Sequence, residues 1–176
     1  MEQNYSVLSP ENIEQNEIKQ AVDYYLDPII CYCAININHF PMECCVACKL
    51  LQQEINASYN FNLIFCEGSR TDTNSNHKVP HHTWLECGDL IIDPMDFLSE
   101  VILYDLLKID YYKEYLENPD EKERNFQELV DSLKNGQISK EEFINELRIS
   151  YECKTFYSKS DHESGIIYEQ NAKHAE

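Results

Sequence analysis

Three residues of this sequence have the types that nucleophilic acyl transfer needs. Cys44 stands near the start of a predicted helix, His82 lies on a predicted strand, and Asp93 lies on the strand that follows. A thiol attacks a carbonyl as the thiolate, and a helix N-terminus or a nearby imidazolium lowers the thiol pKa. A carboxylate on the other imidazole nitrogen fixes the ring for proton transfer. The three residues therefore predict a Cys-His-Asp triad.

The helix that would carry the nucleophile begins near residue 43, and two adjacent cysteines lie in its first turn. Cys44 shares one face with residues at the spacing of a buried helical stripe, namely Ala47, Cys48, Leu51 and Ile55. Cys45 shares the other face with the polar residues Lys49, Gln52 and Asn56. A nucleophile must face the part of the fold that supplies its base. The pattern therefore favours Cys44 and leaves Cys45 as the alternative.

The histidine and the aspartate lie on two runs of β-forming residues, 81–87 and 90–95, separated by a Gly-Asp pair typical of a hairpin turn. The alternation of side chains along strands puts His82, Trp84 and Asp93 on one face. His82 and Asp93 are diagonal neighbours in this register, roughly 7 to 8 Å apart between backbones, which is within reach of a side-chain contact. The hairpin therefore predicts that Asp93 orients His82 and that Trp84 shields the pair from water.

The rest of the pattern predicts the surrounding elements. A helix is expected from Ser9 to Asp27, followed by a short strand or extended segment over 29–37. A strand is expected over 60–67, and the polar residues 68–79 are expected to form a loop.

The C-terminal half of the sequence has mainly helical periodicity. It predicts helical segments over 97–118 and around 126–134, and a last helix that opens with a capping box at Ser139. Residues after about 155 are polar and are expected to be frayed or loosely docked. The predicted organisation is a core with an N-terminal helix over 1–103, a helical extension packed on it over 104–155, and a polar tail over 156–176.

Composition excludes two classes of partner. The 176 residues include 32 acidic and 14 basic side chains, which gives a formal charge of −18 with neutral histidine. Nucleic acids and anionic membranes repel such a chain, because binding to either depends mainly on Lys and Arg. No apolar stretch has the length of a membrane span. A hydrophobic share of 43% is nevertheless enough to form a core.

The redox state of the eight cysteines depends on the cellular compartment of the protein. The first residues are polar and acidic and have no features of a signal peptide, so a cytoplasmic location is expected. Thiols stay mostly reduced in that compartment. A structural disulfide framework is therefore not expected.

Two possible metal sites compete with the triad. Cys31, Cys33 and His39 could join the cysteines of 44–48 around zinc, but adjacent cysteines on a helix diverge by about 100°. The segment 131–142 resembles a calcium-binding EF-hand loop, but Leu133 at its third position cannot coordinate the ion. A helix, a glycine turn and a second helix explain this segment better. No metal or other cofactor is predicted.

Two segments resemble the transglutaminase-like group of papain-like cysteine proteins. Residues 40–51, FPMECCVACKLL, resemble the Phe-Pro-x-x-Cys-x-x-Ala-Ser-x-Leu-Leu pattern around the nucleophile of that group. Residues 82–93, HTWLECGDLIID, resemble its His-Ala-Trp-Leu-Glu segment that ends in Ile-Ile-Asp. Matched by position, Cys44 is the nucleophile, His82 the general base and Asp93 the orienting acid. The family usually has a small residue and a serine where this chain has Cys45 and Cys48.

The resemblance implies an α+β, papain-like fold in which the nucleophile helix packs on a small antiparallel sheet and a mostly helical C-terminal region follows. It implies acyl transfer through a Cys44 thioester on a peptide or protein, as in a peptidase, deamidase or transglutaminase. Papain-like enzymes also use a polar side chain upstream of the cysteine as an oxyanion donor, and Asn38 is the candidate here.

A different class of function fits the charge of the chain. An acidic, non-enzymatic protein could bind and neutralise a basic protein partner, because opposite surface charges accelerate association. A degenerate protease scaffold could carry this role.

Overall fold

The computed structural model describes residues 10–37, 44–59, 61–74, 77–96, 121–151 and 154–171. Within these ranges the chain has an α+β fold with four helices and five strands. The helices are α1 (Pro10–Asn36), α2 (Cys44–Ser58), α3 (Glu121–Lys134) and α4 (Lys140–Ser150). The strands are β1 (Ile64–Asp72), β2 (His77–Cys87), β3 (Leu90–Ile92), β4 (Phe156–Ser158) and β5 (Ile166–Gln170).

The strands form one antiparallel sheet in the order β4-β3-β2-β1-β5. The β2–β3 turn contains Gly88 at a φ of 58°, a left-handed conformation that glycine adopts without strain. The pairs Cys87–Leu90 and Leu85–Ile92 confirm the predicted hairpin register. The ladder ends at Ile92, so β3 is shorter than predicted.

The sheet curls until its two edge strands approach each other. Tyr157 of β4 and Tyr168 of β5 have ring centroids 5.6 Å apart, although three strands separate them in the sheet. The β1–β2 register shifts between Gly68 and Arg70, and such an irregularity bends a strand. A Cβ atom at Gly68 would lie 1.9 Å from the carbonyl oxygen of Glu169, so glycine is required at this point of the pairing between β1 and β5.

The two faces of the sheet have different contents. Leu85, Leu90 and Ile92 join the main hydrophobic core, which the helices complete. The concave face carries a separate aromatic cluster that consists of Cys66, Trp84, Ile91 and Tyr157, with Ile166 and Tyr168 packed against it. The sheet therefore separates an apolar helical layer from a smaller aromatic and polar layer.

Helix α2 packs against the sheet and α1 through the predicted stripe. Ala47, Cys48, Leu51 and Ile55 are fully buried, while Lys49 is exposed. The amphipathic pattern of this helix is therefore confirmed for the side chains that the structure describes.

The predicted C-terminal helical hairpin is also confirmed. The backbone nitrogen of Ser139 donates to Oε2 of Glu142 at 2.7 Å, and the backbone nitrogen of Glu142 donates to Oγ of Ser139 at 3.1 Å. These reciprocal bonds are the capping box, and they start α4.

The prediction of a strand over 29–37 was wrong, because α1 continues through Pro28 to Asn36. Proline inside a helix removes a backbone hydrogen bond, which is usually enough to end it. Here Ile29, Ile30 and Ala34 are all buried in the main core, and this packing outweighs the local preference.

The predictions of a loop over 68–79 and of a loosely docked tail after 155 were also wrong. β1 extends to Asp72 and β2 begins at His77, and the last segment supplies both edge strands, β4 and β5. The edge strands β4 and β5 are polar on their open sides, so their sequence resembles that of a loop. The polar end of β1 is held in the sheet by pairing with β2 on one side and β5 on the other. The helical segment predicted for 97–118 lies outside the described residues.

Candidate active site

His82 and Asp93 are in direct contact. Nε2 of His82 lies 2.6 Å from Oδ2 of Asp93, and the two side chains are 2% and 0% exposed. Asp93 directly follows β3, where its backbone nitrogen donates to the carbonyl oxygen of Thr155 at 2.8 Å. The structure therefore brings together two of the three predicted triad residues. Nδ1 of His82, on the other side of the ring, is the atom that would exchange a proton with a thiol.

Cys44 is the first residue of α2, and its side chain lies outside the described residues, as does the whole of Asn38. Cys48, one turn later, donates from Sγ to the backbone oxygen of Thr83 at 3.3 Å. Thr83 is the neighbour of His82 on β2. The start of α2 therefore lies beside the segment of β2 that carries the imidazole. Cys45, the alternative nucleophile, is partly exposed.

The side chains of Thr83 and His82 point to opposite faces of β2. The hydroxyl of Thr83 lies 3.6 Å from Sγ of Cys48 on the helical side. The ring of His82 stacks on Trp84 with centroids 6.4 Å apart and planes 19° apart, on the concave side. A thiol in the middle of α2 therefore meets Thr83 rather than the imidazole.

A buried polar cluster that the sequence analysis missed surrounds Asp93. Tyr168 donates from its hydroxyl to Oδ2 of Asp93 at 2.8 Å. Nε of Arg70 lies 3.9 Å from the same oxygen, and Nη2 of Arg70 forms an ion pair with Oδ1 of Asp96 at 2.5 Å. Arg70 also donates to the hydroxyl of Tyr157 at 3.5 Å. The available signal was the pair of tyrosines at 157 and 168, each next to apolar residues (Phe156; Ile166 and Ile167) in a largely polar segment.

These contacts determine the charge state of Asp93. Burial by itself would raise the pKa of Asp93. The charge and hydrogen bond of His82, the charge of Arg70 and the hydrogen bond of Tyr168 outweigh burial and hold the pKa of Asp93 below its usual value. Asp93 is therefore a carboxylate at neutral pH, as an orienting acid must be.

The pKa of Asp96 is shifted in the opposite direction to that of Asp93. Burial and the negative charge of Asp93 raise the pKa of Asp96 to about 6, although the charge of Arg70 opposes the shift. Burial lowers the pKa of Arg70, but the carboxylates of Asp96 and Asp93 with the two tyrosines more than reverse this, and Arg70 stays protonated. The cluster thus has one permanent cation beside two acids of different strength.

Trp84 stacks on the imidazole of His82, the part of the predicted shielding that the structure shows. It is fully buried, and its ring centroid lies 5.1 Å from that of Tyr168. Its Nε1 donates to Oε1 of Glu86 at 2.8 Å, and Glu86 forms an ion pair with Lys159 at 2.6 Å. Trp84 therefore shields the imidazole with its own polar atom satisfied.

A cavity of about 550 Å³ opens on the concave side of the sheet. Tyr157, Tyr168, Ile91 and Glu86 line it, with Lys159 and His162 at the β4–β5 connection. None of the α2 residues whose side chains the structure describes lines it, and Tyr168 lies between it and Asp93. The cavity therefore lies behind the pair, away from the helix that carries Cys44.

Three of the other thiols, those of Cys31, Cys33 and Cys87, are poorly suited to attack. Burial raises the pKa of Cys33 to about 11, and burial also raises the pKa values of Cys31 and Cys87. None of the six cysteines whose side chains the structure describes forms a disulfide. Across the same part of the chain, no group of three or more Cys, His, Asp or Glu side chains is arranged to hold a metal ion. No helix in the described ranges combines the length and apolarity needed to cross a membrane.

Comparisons with known proteins identified no relative of this chain. No protein-family model, no curated protein and no solved structure matches the chain. The likeness to transglutaminase-like proteins therefore depends on the residues of two sequence segments, while the α+β class and the His82–Asp93 contact come from the structure.

Proposed function

We propose that the protein is a thiol-dependent amide hydrolase or acyltransferase that acts on a peptide or protein. Cys44 is the nucleophile, His82 the general base and Asp93 the residue that orients the imidazole. The observation that carries this proposal is the buried contact of 2.6 Å between His82 and Asp93. A buried His-carboxylate pair beside a cysteine at a helix start is the arrangement that activates a thiol.

The reaction proceeds in two acyl transfers. The proton of the Cys44 thiol moves to Nδ1 of His82, and the sulfur attacks the amide carbonyl carbon. The C–N bond breaks, the leaving amine takes the proton from His82, and a thioester remains on Cys44. Water or a substrate amine then attacks the thioester carbonyl carbon while His82 accepts its proton. The C–S bond breaks, the acyl product leaves, and His82 returns the proton to the sulfur. Water gives hydrolysis or deamidation, and an amine gives transamidation.

The position of α2 supports Cys44 as the nucleophile. The contact between Cys48 and the Thr83 backbone brings the N-terminal turn of α2 close to His82 along β2. Cys44 is the first residue of the helix, where unbonded backbone N–H groups and the helix dipole stabilise a thiolate. Cys45 is one residue further on and turned by about 100°. Cys44 lies one helical turn before Cys48, whose buried side chain contacts β2, and Cys45 does not have this spacing, so Cys44 is the better candidate.

We further infer that the core has the papain-like arrangement. Helix α2 packs on an antiparallel sheet, the histidine is on β2 and the aspartate directly follows β3. By the same resemblance, Asn38 would donate a hydrogen bond to the oxyanion. The strongly acidic composition favours neutral or basic substrate segments.

Alkylation by iodoacetamide at near-neutral pH, read peptide by peptide with mass spectrometry, tests the proposal. We expect Cys44 to react faster than every other cysteine, and His82→Ala to slow its labelling by at least about tenfold because the thiolate loses its partner. Cys45→Ala is the matched control and keeps the fast reaction, whereas Cys44→Ala abolishes it. Equal reactivity of all exposed thiols in the folded protein would refute the proposal.

The charge of −18 supports a second function, in which the protein binds a basic protein partner without catalysis. Such binding would weaken steeply with salt, because its electrostatic component is screened. An interaction of this kind that Cys44→Ala leaves intact, together with slow labelling of Cys44, would favour binding over catalysis.

A further inference from the structure

Asp93 is held by more than its contact with His82. Its Oδ2 atom accepts hydrogen bonds from Nε2 of His82 at 2.6 Å and from the hydroxyl of Tyr168 at 2.8 Å. Its Oδ1 atom accepts one from the backbone nitrogen of Met95 at 3.1 Å. Each oxygen of the carboxylate therefore accepts a hydrogen bond from a group other than the imidazole, Oδ2 from Tyr168 and Oδ1 from Met95. These bonds fix the plane of the carboxylate.

Tyr168 reaches this position because β5 pairs with β1. Arg70 and Tyr168 are direct cross-strand partners, and both side chains reach Asp93. The close approach of β5 depends on Gly68, as the clash at Glu169 indicates. The ring of Tyr168 packs between Trp84 at 5.1 Å and Tyr157 at 5.6 Å, so its hydroxyl has a defined direction.

We propose that Tyr168 is a positioning residue, whose hydroxyl holds the Asp93 carboxylate in the orientation that binds His82. This inference rests on the proposed function and adds to it that the last strand, β5, completes the site. Tyr168 acts only through Asp93, and it does not contact the reacting atoms.

Two properties suit Tyr168 to this role. Burial and the charges of Asp93 and Asp96 raise the pKa of Tyr168, so its hydroxyl keeps its proton and remains a donor. A hydrogen bond from a neutral donor also stabilises the charged form of Asp93 without competing for a proton. Loss of the hydroxyl should therefore do two things: loosen the carboxylate and make it easier to protonate.

The test is Tyr168→Phe, which keeps the ring and removes only the hydroxyl. We expect the alkylation of Cys44 by iodoacetamide to become about tenfold slower at neutral pH, the effect of one lost hydrogen bond to a charged group. We also expect the acid limb of the rate against pH to move to higher pH, because a less firmly held Asp93 carboxylate stabilises the His82 imidazolium, and with it the Cys44 thiolate, less well. Thermal unfolding of each variant checks that the fold is kept.

Tyr25→Phe is the matched control, since it removes a tyrosine hydroxyl that contacts Ser58, between α1 and α2, and not the sheet. An acid limb that stays at the wild-type position in Tyr168→Phe overturns the inference, even if the rate falls, because the support that Asp93 gives to the His82 imidazolium would then not depend on the Tyr168 hydroxyl. Failure of the proposed function looks different. In that case His82→Ala labels as fast as the wild type, whatever Tyr168→Phe does.

Discussion

The two faces of β2 contrast sharply within one strand. On the helical side, Leu85 is fully buried in the main hydrophobic core and Thr83 contacts α2. On the concave side, His82, Trp84 and Glu86 are just as buried, but each takes part in a polar contact. Burial alone therefore does not mark a residue as structural in this protein.

Burial affects the free energy of folding differently on the two faces of β2. Apolar side chains contribute to stability whenever they leave water. Buried charges stabilise a fold only if their partners compensate for desolvation, and removing one partner is strongly destabilising. The helical face should therefore tolerate conservative exchanges, while the concave face should depend on every member of its network.

The largest effect expected is that of Arg70→Met. Without the guanidinium, the carboxylates of Asp93 and Asp96 face each other in a buried site with no fixed cation. We expect the free energy of unfolding to fall by about 3 to 5 kcal/mol, measured by urea denaturation at pH 7.

Arg148→Met is the matched control for Arg70→Met. Arg148 pairs with both oxygens of Asp27, at 2.8 and 2.9 Å, but on an exposed surface. Its loss should cost less than about 1 kcal/mol. Equal effects of the two substitutions would contradict the view that the concave face depends on its buried charges.

On the helical face, Leu85→Ala should lower the free energy of unfolding by roughly 3 kcal/mol, because it leaves a cavity in a fully buried site. The same urea titration measures it. Ile64→Ala is the control on β1, since Ile64 is 51% exposed, and it should change stability by less than about 0.5 kcal/mol. A loss at Leu85 no larger than that at Ile64 would mean that this face is not the main core.

The smallest effect concerns pH. The pKa of Asp96 is raised to about 6 in the fold, so the native state holds its proton in a range where the unfolded state has lost it. This contribution to stability is complete below about pH 4 and is lost as pH rises through 6. Its full size is about 2 to 3 kcal/mol.

Asp96→Asn isolates this contribution. The stability of the wild type relative to Asp96→Asn should fall between pH 4 and pH 7, as measured by urea denaturation at both values. A relative stability that is constant, or that rises with pH, would mean that Asp96 is ionised throughout and that Arg70 compensates its charge fully.

Local patterns were sufficient for some elements. The Gly-Asp turn and the alternation around it predicted the β2–β3 register, and from it the contact of His82 with Asp93. The spacing of Cys48, Leu51 and Ile55 predicted the buried face of α2. Each of these features depends on residues that are close in the sequence, where geometry has few alternatives.

Other elements could not be predicted because their stability comes from distant residues. Helix α1 continues past Pro28 because its second half is buried by elements far along the chain. The segment after residue 155 is polar enough to look unstructured, and it forms strands only because β1 and β3 offer free edges.

Part of the candidate site could likewise be predicted from the sequence, and part depended on contacts between distant residues. The residue types of Cys44, His82 and Asp93 were enough to suggest thiol chemistry, and the short spacing of His82 and Asp93 was enough to pair the histidine with its acid. Arg70 and Tyr168 entered the site only through the folded sheet, because the β1–β5 pairing joins positions almost a hundred residues apart. A sequence pattern indicates which residues a few positions apart lie close together. The members of a buried charge network come from distant strands, and the curl of the sheet decides which of these strands meet.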